Sequence, residues 1–154
     1  MTKFLLAVHV IAAIVAIGPV TVAASMFPPA ARKVLEGPDD PSALATTRLL
    51  HRICQVYAVV GVVVPVFGFA TASDMGVLGD TWLIVSIVLT ALAAVVLAAL
   101  VLPRQSAILE GADQGGTVDR AATVRLAMFT GIFNLLWATV TVLMIIRPGS
   151  TTGA

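Results

Sequence analysis

TWLIVSIVLTALAAVVLAALVLP, residues 81–103, contains no Asp, Glu, Lys or Arg. As a helix at about 1.5 Å per residue it reaches about 35 Å, enough to cross the ~30 Å of bilayer hydrocarbon. Three more stretches share this character: Phe4 to Ala31, Ile53 to Ser73 and Leu126 to Ile146 carry no formal charge. Lipid offers nothing to an unpaired backbone amide, so a crossing segment is a helix or part of a closed barrel. Val59-Val60-Gly61-Val62-Val63-Val64 is apolar on both faces and lacks the alternation of a barrel strand. The chain therefore reads as all-α, a polytopic membrane protein with a four-transmembrane-helix bundle. Helices are expected at about 4–27, 44–73, 81–103 and 122–147 of a single membrane domain, 1–154.

Composition agrees. The 154 residues are 59% hydrophobic and 11% charged, against about 45–50% and about 25% in soluble domains. Nine Lys and Arg against eight Asp and Glu leave a formal charge of +1, which excludes a basic nucleic-acid surface. The single cysteine, Cys54, excludes an internal disulfide. The first span admits a second reading as a secretory signal, with Lys3 as its basic region and Val22-Ala23-Ala24 before Ser25 as the cleavage site. The apolar run is too long for a signal core, so it is read as the first helix.

The connectors differ in kind. Pro28-Pro29 is expected to end the first helix, because neither residue donates a backbone hydrogen bond. Gly37-Pro38-Asp39-Asp40-Pro41-Ser42 is a turn cluster with Ser42 as helix cap. Asp74 to Asp80 is short and carries only acids, which either bind a cation weakly or keep the turn in water. Arg104 to Arg125, with Gly111, Gly115 and Gly116, is expected to be mobile in part, and the tail after Arg147 to fray. Arg32, Lys33, Arg48, Arg52, Arg104, Arg120 and Arg125 lie on one side, seven cations against Lys3 and Arg147 on the other. That bias places the first and third connectors in the cytoplasm and both termini outside.

Without a hydrophobic drive between helices in lipid, association relies on small residues. Ser86, Thr90, Ala94 and Ala98 recur every four residues, as one face of a helix does; Ala12, Ala13, Ala16 and Ala23 form a similar stripe. Asn134, flanked by Thr130 and Ala138, calls for a partner on another helix. Pro19 and Pro65 are expected to kink their helices. Tyr57 and Trp82 suit interface belts, whereas Trp137 at mid-span either packs on a cofactor or fills core.

No carboxylate, lysine or arginine lies inside a span, which argues against a proton pump or ion-coupled carrier. No phosphate loop, CxxC pair or HExxH motif is present. The chemistry falls to two histidines. His9 lies about 7–8 Å inside the first span and is either a metal or haem-iron ligand or a neutral side chain bonded to a neighbouring helix. His51 shares a helix face with Arg48, Arg52 and Gln55. That patch suits a lipid headgroup, a quinone carbonyl or a haem propionate, or else simply anchors the helix at the interface. The two histidines stand near opposite surfaces, about 20 Å apart, so they do not clamp one haem.

The run Phe4-Leu5-Leu6-Ala7-Val8-His9-Val10-Ile11-Ala12-Ala13, followed by Gly18, resembles the opening helix of several bacterial four-helix membrane families. These are the CopD-like copper-resistance domains, the HemJ-like protoporphyrinogen oxidases and an uncharacterised group of predicted integral membrane proteins allied to them. In the haem-binding relatives the first-helix histidine is held to be the iron ligand. The resemblance thus implies haem b on His9. Ala16 stands where these families often carry Trp, and Leu6 where the HemJ-like proteins carry Lys. Two functions remain open: a haem- or metal-associated redox protein through His9, and a non-catalytic subunit of a larger membrane complex, such as a respiratory one. A small carrier is a third. The expected partners are the lipid bilayer and other membrane subunits or further copies of the chain, with no nucleic acid.

Overall fold

A computed structural model of the chain describes residues 1–37, 40–116 and 119–149. Pro38 and Asp39 of the first turn cluster, part of the third connector, and the tail from Ser150 lie outside the described residues. The helices are α1 (Thr2–Glu36), α2 (Pro41–Val60), α3 (Val63–Met75), α4 (Thr81–Val95), α5 (Leu102–Asp113) and α6 (Arg120–Ile146). A π-helical segment, Val96–Val101, joins α4 to α5. With α2–α3 and α4–α5 each taken as one span, four helical runs are long and apolar enough to cross a membrane. The chain is a multi-pass, all-α four-helix bundle.

The packing is inverted relative to a protein in water. Ala16, Ala24, Ala31 and Ala93 are fully buried, while Phe4, Ile14, Leu135 and Ile145 are exposed and Val59 keeps 74% of its surface open. In lipid this arrangement is expected, because large apolar side chains lose nothing by facing the tails and small ones let backbones meet. α1 packs along α2, α3 and α6, and α4 joins the bundle through α6. The alanine stripe of α1 turns inward as read from the sequence. The Ser86 stripe does so only in part: Ser86 is buried, but Ala94 and Ala98 face outward.

Prolines shape the runs. α1 continues through Pro28-Pro29 for two more turns, against the expected end there. Each proline leaves one carbonyl without its donor, but Phe27, Pro28, Ala31 and Val34 are all buried, and that packing holds the helix together past them. In the second span the chain breaks at Gly61-Val62, one turn before Pro65. Pro65 cannot bond the Gly61 carbonyl four residues back, and Val64 N–H takes it instead at 3.1 Å. In the third span Pro103 does not end the helix. The Leu102 N–H reaches back five residues to Leu97, and the widened turn admits the proline ring, so α5 runs on to Asp113.

The ends are capped conventionally. Asp40, not Ser42, caps α2: its Oδ1 accepts from Ser42 N–H at 2.9 Å, with Pro41 in the first helical position. Gly76 and Gly115 adopt φ of +70° and +71° at the ends of α3 and α5. At both ends the next residue bonds back five positions, Val77 to Ala72 and Gly116 to Gly111. At the Asp74–Asp80 turn, Trp82 Nε1 donates to Asp80 at 3.0 Å, Arg147 lies over the Trp82 ring, and Thr2 donates to Asp74. Each acid of the turn thus accepts one side-chain hydrogen bond.

Gly76→Ala places a Cβ in a left-handed position with open space around it, so the backbone alone sets the effect. We expect a loss of about 1 kcal/mol, read as a lower unfolding midpoint by circular dichroism in detergent. Gly18→Ala, inside α1 and also in open space, moves the midpoint the other way.

Candidate functional site

His9 lies at the crossing of α1 and α3. Its ring is half-buried, and its Nδ1 donates to the Val64 carbonyl at 2.9 Å. The imidazole rests on Gly68, where an added Cβ would fall 2.8 Å from Cε1 and 3.1 Å from Nδ1. Only glycine permits this approach. The sequence shows only an isolated Gly in Val66-Phe67-Gly68-Phe69, which in a helical run marks no contact by itself. Nε2 has no hydrogen-bond partner among the described residues.

His51 does not face the interface with its arginine neighbours. It is buried against the edge of Phe27, with ring centroids 6.4 Å apart, and both ring nitrogens are engaged. Nδ1 pairs with Gln105 Oε1 at 2.9 Å and Nε2 with Ser106 Oγ at 3.2 Å. Gln105, fully buried, points its Nε2 at Cys54 Sγ, 3.6 Å away. One neutral tautomer satisfies the chain: Ser106 donates to Nε2, Nδ1–H donates to Gln105, and the amide donates to the thiol. The π segment makes this possible. Its extra residue turns the following helix by about 100°, which buries Gln105, Ile108 and Leu109 and brings Gln105 onto His51 and Cys54 of α2. Gln105 and Ser106 lie beyond the expected end of the third span, which is why the sequence did not pair them with His51.

The rest of the sequence-read patch separates. Arg48 pairs with Asp113 across the α2–α5 contact, while Arg52 and Gln55 are exposed. Arg104 stacks on Phe129 at 4.4 Å. Asn134 makes its interhelical bond, Nδ2 to Ser25 Oγ at 3.0 Å. Trp137 packs edge-on against Phe133 in the core. Among the described residues three buried polar atoms lack partners, Thr130 Oγ1, Asn134 Oδ1 and Trp137 Nε1, and their spacing puts them on one face of α6.

Two open cavities flank α6. One, of about 320 Å³, lies between α5 and α6 and is lined by Arg104, Asp119 and Arg125. The other, of about 280 Å³, lies between α1 and α6 and is lined by Ser25, Arg32, Thr130 and Asn134. Neither includes His9 or His51. In one chain the His9 ring is pressed on Gly68 with Nε2 unengaged, whereas both His51 nitrogens are occupied, so His51 offers no free ligand atom. Among the described residues no three His, Cys, Asp or Glu side chains group as metal ligands.

If His9 and Gly68 act as one contact, Gly68→Ala destabilises wild type but much less in a His9→Ala background. We expect a coupling of about 0.5–3 kcal/mol in a double-mutant cycle read by thermal unfolding. Gln105→Leu strands a buried His51 and costs about 1–3 kcal/mol. Adding His51→Phe recovers most of that loss in the same measurement, since removing both partners leaves no unpaired group.

No family model matches the sequence, and neither the curated proteins nor the solved structures contain a match to it.

Proposed function

We propose that this chain is a non-catalytic membrane subunit that packs within a larger membrane assembly. The observation that carries the reading is the use made of its two histidines. His9 closes the α1–α3 contact, and His51 closes the α2–α5 contact through Gln105 and Ser106. The side chains best suited to acid–base or ligand chemistry thus hold helices together. The apolar outer surface, with Phe69, Val88, Leu135 and Ile146 exposed, is fit for lipid or for neighbouring helices.

A cytoplasmic membrane, with the first and third connectors inside, is the setting we infer from the seven-to-two distribution of cations, and the first-helix resemblance favours a bacterial one. A second reading, a haem-associated redox protein, draws support from the first-helix resemblance to the CopD-like and HemJ-like families. It also draws on one feature of His9: Nδ1–H is anchored on a carbonyl and Nε2 is left unengaged, the orientation in which outer-shell bonds hold metal-binding imidazoles.

One preparation separates the two. The chain is purified in mild detergent for an absorption spectrum and metal analysis, and run from solubilised membranes on a native gel. We expect no Soret band, and migration in a species larger than the isolated chain that persists in His9→Ala. A Soret band lost in His9→Ala overturns the subunit reading, as does migration as a lone chain under every gentle extraction.

A further inference from the structure

The cavity between α1 and α6 has a polarity profile of its own. At its mouth Arg32 donates Nε–H to Thr123 Oγ1 at 3.2 Å. The remaining guanidinium N–H groups have no carboxylate partner among the described residues. Thr130 lies seven residues further along α6, about 10 Å deeper. It is 3% exposed, and its hydroxyl is unpartnered. Among the buried threonines of the described residues this is the exception: Thr47 and Thr71 bond the carbonyl four residues back, and Thr123 the carbonyl three back.

Asn134 stands one turn below Thr130. Its amide is bonded to Ser25 through Nδ2, and Oδ1 is left buried and bare. Exchanging the two ends of the amide keeps the Ser25 bond, since a hydroxyl both donates and accepts, and leaves Nδ2–H free instead. Pro28 and Pro29, also on the wall, withhold two backbone donors from the carbonyls of Ala24 and Ser25. Between the polar groups the lining is Ala127 and Gly131, and a Cβ on Gly131 would meet nothing within 4 Å.

The order from the mouth inward is a cation, then hydrogen-bonding groups, with a small apolar wall beside them. A glycerophospholipid presents the matching order of phosphate, ester carbonyls and acyl chain. A planar guanidinium pairs with phosphate through two parallel bonds. A helix from a partner protein would fill an apolar furrow but would leave Arg32 without an anion.

We propose that this groove holds one anionic glycerophospholipid, with its phosphate on Arg32 and its ester carbonyls at Thr130 and Asn134. The site is independent of the subunit reading above, since neither histidine lines it.

The test uses the purified full-length chain, delipidated in detergent and titrated with phosphatidylglycerol, with bound copies counted by native mass spectrometry. Wild type is expected to retain one copy in preference to the rest. Arg32→Gln removes the anion contact, and Gly131→Leu fills the groove without touching a charge; each is expected to weaken that copy by about tenfold or more. Because Arg32 also bonds Thr123, unfolding midpoints are recorded, and Gly131→Leu decides the matter if Arg32→Gln fails to fold. Lys33→Gln, an exposed neighbouring cation, leaves binding unchanged.

Retention in Gly131→Leu equal to wild type overturns the proposal by placing the lipid elsewhere. An equal loss in Lys33→Gln overturns it by making the attraction one of diffuse charge. Displacement of the lipid by inorganic phosphate at matched concentration overturns it in favour of a free-anion site.

Discussion

α1 packs closely along α2, α3 and α6 because alanines make up half of the residues it buries. Ala16, Ala23, Ala24 and Ala31 let neighbouring backbones approach, and Gly68 on α3 does the same from the other side, opposite His9. In lipid this closeness is the main source of cohesion, because burying larger apolar groups gains little over leaving them among the tails. Of the bulky residues that do lie inside, Phe27 and Leu126 stand toward the charged connectors and Phe133 at the middle of α6. Toward the Asp74–Asp80 turn the interior thins to Ala72, Trp82 and Leu83.

The four spans were legible because charge is excluded from hydrocarbon so strongly that its absence marks a crossing. The ends of the helices were harder to read, for a local reason. A proline removes one hydrogen bond, and whether the helix survives depends on what the next turn can bury. Pro28-Pro29 is followed by Ala31 and Val34, which pack inside, and the helix goes on. Pro65 is preceded by a glycine, and there the chain breaks one turn early. Pro103 is passed by widening the helix. Sequence supplies the proline in each case but not the compensation, which comes from other parts of the chain.

The same limit applies to the polar residues. His9 and Asn134 were conspicuous because each stands alone in an apolar run, and both bond across helices. His51 was conspicuous for its arginine neighbours, yet helical spacing sends it to the opposite fate: Arg52 is exposed and His51 is enclosed. Its partners, Gln105 and Ser106, come from a segment whose facing depends on a single extra residue in the π turn, and no periodicity shows that residue in advance. Gly68 and Gly131 were likewise silent as letters. One is occupied by an imidazole and the other opens on a void, a difference visible only in three dimensions.

The spans of α1 and of α2–α3 are each 35 residues, about 52 Å of helix against about 30 Å of hydrocarbon. Leaning cannot hide the difference, since even a tilt of about 40° leaves roughly 40 Å along the bilayer normal. The surplus of helix falls on the side of the basic connectors and reaches at least into the headgroup layer. Its height sets a fixed offset between the hydrocarbon edge and anything that rests on that end of the bundle.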